Sequence, residues 1–325
     1  MEIFSRSEFS DISKFNEIFQ YNSYLNISNF FKSEFWIAFE NNQYLGQLGC
    51  SLNTLSPDEG CIGFLNTSNI NDTKTMTILM KKALEWLHKY NVKKVYGPIN
   101  FCTWFNYRYR IKEELPLFSW EPQNPIKYLD YFYELGFKPT QYYHSYGYKN
   151  LSHLIPITEK YYLKSIENGF KYRPFHKNIE LFISEDIPLI YKLSLEGFQN
   201  NFLFQPIPFE LFKVMLISQA HSESIHLGYF VFEQKNTPVG FFYHPIENDY
   251  LILKTLVILE NYRGRGLSHS LTYHGAQEAS LLGIEKFVGA LVANGGESEE
   301  NNESFYSKNT ETLWRHEYIL FEKNI

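Results

Sequence analysis

The chain has 325 residues, a formal net charge of −6, 44% hydrophobic and 18% aromatic residues. That length predicts two domains of about 150 residues each, with enough apolar material to exclude long disordered stretches. The acidic balance excludes a generally basic nucleic-acid or membrane-surface binder and leaves local patches only, such as Arg108-Tyr109-Arg110 with Lys112.

In chain order, Ser10 to Tyr21 reads as a helix with Ser10 as its cap. Phe35–Phe39 and Tyr44–Leu48 flank Glu40-Asn41-Asn42-Gln43 as a hairpin. A third strand is expected around Cys61–Leu65. Asp72 to Tyr90 places Ile78, Leu79, Ala83, Trp86 and Leu87 on one helical face. A strand at Val92–Tyr96 stops at Gly97-Pro98, a helix spans Pro125 to Leu135 before Gly136, and aromatic strands surround Tyr142–Tyr146. Leu154 to Phe175, with Pro156, Gly169 and Pro174, reads as a connector containing a helix.

The second half repeats this order. Ile179–Ser184 reads as a strand, Ile187–Asn200 and Pro208–Ala220 as helices, and His226–Gln234 with Val239–His244 as a hairpin around Lys235-Asn236-Thr237-Pro238. A strand at Leu251–Leu259 then meets Arg263-Gly264-Arg265-Gly266-Leu267-Ser268, which opens a helix running to Leu282 and Gly283. Strands at Lys286–Val292 and Glu317–Glu322 complete the half. The predicted division is 1–152, a connector at 153–177, and 178–325.

The loop at Arg263–Ser268 carries the chemistry. A Gly-rich turn between strand and helix bares a row of N–H groups at the positive end of the helix dipole, a site for phosphate or pyrophosphate. Arg263 and Arg265 add charge, and Arg263 would grip phosphate oxygens in a forked contact. A P-loop is excluded because G-x-x-x-x-G-K-[ST] is absent. The dinucleotide fingerprint fails because His269 stands where its third glycine belongs.

With these flanks, the second half resembles the GNAT superfamily of acyl-CoA N-acyltransferases. Their R/Q-x-x-G-x-G/A signature reads here Arg263-x-x-Gly266-x-Ser268, with Ser268 replacing the last small residue. The first half resembles a degenerate second copy. It keeps Phe132-Tyr133-Glu134-Leu135-Gly136-Phe137, but has Leu65–Asp72, without glycine or arginine, in place of the loop. The chain is thus similar to tandem GNAT proteins of bacteria. The resemblance implies an α/β (α+β) fold of two GNAT-like domains, each a mixed, largely antiparallel sheet flanked by helices.

It further implies that acetyl-CoA, or another short acyl-CoA, is held by Arg263, Gly264, Arg265, Gly266, Leu267 and Ser268. Backbone groups of Leu256, Val257 and Ile258 would meet the pantetheine arm, with Asn301 and Ser304 reaching its amides. Tyr306 is the candidate proton donor to the departing thiolate, although the usual Asn-x-x-Ala…Tyr…Gly-Phe spacing is missing. Glu247, Glu260 and Asp249 are the candidate bases. The implied reaction is direct attack of an amine, from a small molecule or peptide, on the thioester. Glu297-Ser298-Glu299-Glu300, if it overhangs the acceptor channel, favours a cationic amine. Rival readings are a non-catalytic acyl-CoA sensor or scaffold, a structural or interaction protein without a ligand, and a Fem-like aminoacyl transferase. Against the last, no basic surface or coiled-coil arm is visible.

Other reactive groups are expected to be structural. His274 and Glu278 have i, i+4 spacing but no third ligand, so no metal is expected. Cys102, beside Trp104, has no activating base. Cys50, Cys61 and Cys102 form no C-x-x-C pair, so neither a disulfide framework nor structural zinc is expected and a reducing cytoplasm fits. The polar start, Met1 to Glu8, lacks a signal-peptide core. No apolar run reaches the roughly 20 residues of a membrane span. The expectation is a soluble, cytoplasmic protein without nucleic-acid or membrane partners.

Overall fold

A computed structural model describes residues 1–8, 12–19, 27–220, 225–295 and 302–325. The chain divides into two compact units that are discontinuous in sequence. The first holds Met1–Tyr142, Leu203–Gln205 and Glu317–Ile325, and the second Tyr143–Phe202 and Pro206–His316. The sequential division at 152 and 178 therefore differs from the division by packing. The reason is strand pairing: each unit completes its sheet with a strand from the other half of the sequence.

In the first unit, β1 (Glu2–Ser5), β2 (Ser33–Glu40), β3 (Gln43–Leu52) and β4 (Glu59–Thr67) run antiparallel in that order. Helix α1 is Ile12–Ile18, and the rest of the helix expected at Ser10–Tyr21 falls partly outside the described residues. Helix α2 (Thr73–Lys89) then crosses back, so β5 (Lys94–Gly97) lies parallel to β4. Asp72 starts α2 by accepting the Thr75 N–H at 3.0 Å. The helix buries Met76, Leu79, Met80, Ala83 and Leu87 against the sheet. After the two-residue β6 (Tyr109–Arg110), α3 (Tyr128–Glu134) packs Phe132 on Phe321, with rings 5.1 Å apart. Phe321 belongs to β14 (Glu311–Asn324), whose last part pairs antiparallel with β5.

In the second unit the order is β8 (Lys171–Pro174), β9 (Ile225–Phe232), β10 (Pro238–Glu247), β11 (Tyr250–Leu253), β13 (Lys286–Ala293) and the end of β7 (Lys138–Lys149). All neighbours are antiparallel except β11 and β13. A short β12 (Thr255–Ile258) continues β11. Helices α4 (Leu154–Glu167) and α7 (Leu267–Leu281) pack together, α7 burying Leu267, Leu271, Ala276 and Ala279 in the core. Helix α5 (Ile187–Phe198) sets Gly197 against Val257 of β12, and α6 (Phe209–Ala220) follows it.

The expected strand at Ile179–Ser184 is instead helical. Asn178 Oδ1 accepts the N–H groups of Glu180 (2.9 Å) and Leu181 (3.0 Å), and a π-turn at Phe182–Asp186 leads into α5. The edge strand lies earlier, at Lys171–Pro174, inside the expected connector.

Candidate functional site

The second unit's site begins where its sheet splits. β11 and β13 pair in parallel as far as Leu253 and Gly289. Lys254 N–H then turns back to Ile252 O at 2.8 Å, and β12 pairs with β10 alone among the described residues. Among the described residues the other edge of β12 has no strand partner.

Register decides which backbone groups face that edge. Leu259 N–H donates to Val239 O at 2.9 Å, and in an antiparallel pair the bonded residues alternate. Val257 and Thr255 therefore turn their polar groups toward β10, while Leu256 and Ile258 turn theirs outward. Ile258 O, so placed, accepts from Arg263 Nε at 3.2 Å. Of Leu256, Val257 and Ile258, Val257 does not present backbone groups to the open edge. Its side chain packs on Gly197 instead.

The open edge leads into the loop. A 3-10 turn at Glu260–Tyr262 ends with Arg263 N–H bonded to Glu260 O (3.1 Å). Gly264 and Gly266 then adopt left-handed φ values of +72° and +79°. A Cβ at Gly264 would meet nothing within 4 Å, whereas one at Gly266 would lie 2.8 Å from Tyr161 Cδ1. The first return bond of α7 runs from Ser270 N–H to Gly266 O (3.0 Å), so the amides of Leu267, Ser268 and His269 have no carbonyl inside the helix. Leu267 buries its side chain and offers only its backbone. Arg263 and Arg265 are exposed, each tied by one bond to the loop, the latter to Asn261 O (3.1 Å). Both left-handed glycines, the unpaired amides and the two guanidinium groups suit a pyrophosphate.

Tyr306 ends a π-turn at Asn302–Tyr306 and lies against α7, its hydroxyl 3.4 Å from Thr272 Oγ1. Its ring packs with Phe287 and Tyr148, and burial raises its pKa, which keeps the phenol protonated. Ser304 is exposed on the same turn, and Asn301 and 297–300 lie outside the described residues. Glu247 ends β10 opposite Tyr250, where β11 is still paired on both sides, and Asp249 is at the hairpin tip. Four residues separate Glu247 from Tyr243, the partner of Thr255, or about 13 Å along the strand. Glu260 is exposed immediately before the loop. Neither Glu247 nor Asp249 is brought to the open edge.

A buried titratable side chain on β10, beside the residue that pairs with Thr255, is one the sequence reading passed over. His244 follows Tyr243, is 2% exposed, and stacks on Phe242 with ring centres 4.5 Å apart. Burial pushes its pKa down to about 3, so it is a neutral imidazole. Its only sequence signal was a polar residue at an inward position of an aromatic strand.

Glu278 accepts the Tyr229 hydroxyl, His274 stacks on the Tyr229 ring at 4.5 Å, and no metal-binding trio occurs among the described residues. Burial raises the Cys102 pKa to about 12. Arg108 and Arg110, where the composition left a local basic patch open, are only 4% and 6% exposed.

The first unit has the same split, closed by its own chain. Parallel pairing of β4 and β5 ends at Cys61 and Tyr96. Ile99 N–H then donates to Ile62 O (2.8 Å), and Asn100 Oδ1 accepts the Phe64 N–H (2.7 Å). A Cβ at Gly63 would lie 2.3 Å from Ile99 O, so the fit is close.

Residues 189–308 match the acetyltransferase (GNAT) family model. No curated protein matches the sequence. Among solved structures, a GCN5-related N-acetyltransferase from Anabaena variabilis ATCC 29413 is 9% identical with a TM-score of 0.61, over 99% of this chain and 73% of the other. A conserved protein from Enterococcus faecalis V583, described as a probable N-acyltransferase, is 10% identical with a TM-score of 0.58, over 94% and 65%. A tandem GNAT protein from the clavulanic acid biosynthesis pathway is 11% identical with a TM-score of 0.51, over 91% and 83%. These identities establish the fold alone. No helix among the described residues is long and apolar enough to cross a membrane.

Proposed function

Starting from a GNAT domain at residues 189–308, we propose that the second unit transfers an acetyl or other short acyl group from acyl-CoA to an amine. The observation that carries this reading is the open edge of β12 running into two left-handed glycines and the unpaired amides of α7. Arg263, Gly264, Arg265 and the amides of Gly266, Leu267 and Ser268 would hold the pyrophosphate. The outward backbone groups of Leu256 and Ile258 would meet the pantetheine arm, with Leu256 N–H able to polarise a carbonyl oxygen.

In the proposed reaction the neutral amine attacks the thioester carbonyl carbon. A C–N bond forms, the C–S bond breaks, and the thiolate takes a proton for which Tyr306 is the proposed donor. The amine's surplus proton leaves to water, or to Glu260, the candidate carboxylate beside the loop; the position of Glu247 does not favour it. The proposed acceptor is a small-molecule or peptide amine in the cytoplasm, with no nucleic-acid or membrane partner.

The distance of Glu247 from the split favours one second reading, a non-catalytic acyl-CoA binder. Calorimetry with acetyl-CoA on wild type and Gly266→Glu, followed by thioester turnover against an amine panel, tests both. Equal affinity for the two proteins would sink the loop assignment. Tight binding without turnover would select the second reading.

A further inference from the structure

Helix α4 lies outside the segment that matches the GNAT family, yet it brings side chains to the anion loop. The Tyr161 ring packs against Gly266 so closely that a Cβ there would lie 2.8 Å from Cδ1. The same ring meets His269, in the first turn of α7, with centres 4.6 Å apart, and His269 meets Phe305 at 4.3 Å. His269 thus joins α4 to the start of α7, at the position where a dinucleotide fingerprint would need glycine. Burial lowers its pKa and the Lys160 ammonium lowers it further, so at neutral pH it brings no charge.

Lys160 does bring one. It is exposed, with Nζ 5.1 Å from the centre of the Tyr161 ring, a position that holds the ammonium and leaves its three donors free. No carboxylate among the described residues forms an ion pair with it. Its neighbour Glu159 lies by the Tyr273 phenol, whose pKa is raised by burial and then by that carboxylate. Lys160 is therefore a cation at the lip of the loop, in addition to Arg263 and Arg265.

In the acyl-CoA reading the loop amides and the two arginines answer the pyrophosphate. CoA carries a third phosphate on its ribose 3′ oxygen, one sugar away from that pyrophosphate. As a monoester it is the most highly charged group of the ligand. An ammonium beside it makes charge-assisted hydrogen bonds. We propose that Lys160 pairs with the 3′-phosphate of bound CoA, so that this chain selects CoA over dephospho-CoA. The proposal rests on the acyl-CoA reading and extends its site to a helix that the family match leaves out.

The test is calorimetry of the full chain at low salt, with CoA and dephospho-CoA titrated separately. Wild type should bind CoA about tenfold more tightly than dephospho-CoA. Lys160→Gln should bind dephospho-CoA as wild type does and CoA no better, whereas Lys160→Arg should keep the preference. Both changes fall at an exposed position, where the fold tolerates them. Equal affinities in wild type, or an unchanged preference in Lys160→Gln, would overturn the assignment and leave the loop reading standing. Wild type that binds neither ligand would sink the acyl-CoA reading itself, and the role of Lys160 with it.

Discussion

The two loop glycines share a backbone conformation but not surroundings, and this separates binding from stability. An alanine at either position must hold φ near +72° or +79°, which costs about 1–2 kcal/mol for an L-residue. Lower unfolded-chain entropy returns about 0.4–1 kcal/mol. At Gly264 nothing lies within 4 Å of the new methyl group, so Gly264→Ala should lose only about 1 kcal/mol. At Gly266 the methyl would stand 2.8 Å from Tyr161 Cδ1, and overpacking of this kind adds about 1–3 kcal/mol. Gly266→Ala should therefore lose about 2–4 kcal/mol. The order reverses for the ligand. The space around Gly264 is open, and a pyrophosphate held by this loop, as proposed, would meet the new methyl group there. CoA affinity should fall at least about tenfold, or ~1.4 kcal/mol. Urea unfolding gives the first quantity and calorimetry with CoA the second. If Gly264→Ala binds CoA as wild type does, the pyrophosphate does not rest on this loop.

Acidification gives a second prediction, centred on His244 and His274, whose pKa values burial lowers to about 3 and about 4 from 6.5. The unfolded chain binds these protons first, so stability is intact above pH 6.5 and falls as pH drops toward 4. At pH 5 each histidine costs about 2 kcal/mol. His244→Leu should flatten the pH 5–7 slope of the urea midpoint, and a slope parallel to wild type would contradict the assignment. Tyr306→Phe should lower kcat roughly tenfold to a hundredfold at unchanged acetyl-CoA KM, while the long bond to Thr272 limits the stability loss to about 1 kcal/mol; an unchanged kcat removes Tyr306 from the reaction. Each chain should bind one acyl-CoA, because Ile99 and Asn100 already bond the split edge of β4. A native mass spectrum showing two would refute the closure.

The loop could be read from the sequence because its signal is local: two glycines, two arginines, a strand before and a helix after. The exchange of end strands could not, since the apolar pattern of Tyr143–Lys149 or Glu317–Asn324 fits either sheet and only pairing selects one. Ile179–Ser184 misled for a related reason. Its apolar residues, Ile179, Leu181 and Ile183, alternate as in a strand, and the Asn178 cap decides for the helix. Arg108 and Arg110 read as surface because arginine usually is, and their burial depends on packing contributed by distant segments. The orientation of Leu256, Val257 and Ile258 hangs on one bond, Leu259 to Val239, which fixes the register.

A split sheet leaves backbone donors and acceptors that something must satisfy. The first unit answers with its own chain, Ile99 on Ile62 and Asn100 on Phe64, and close contact at Gly63 leaves no room for a guest. The second unit answers only in part, with Arg263 on Ile258 O. Leu256 stays available to a ligand that carries its own amides and adds to the edge as a strand would. A pantetheine arm has such amides and ends in the pyrophosphate that the adjoining glycines suit. The proposed acyl-CoA ligand would meet the open edge with one end and the anion loop with the other, and a phosphate cradle alone would not have suggested it.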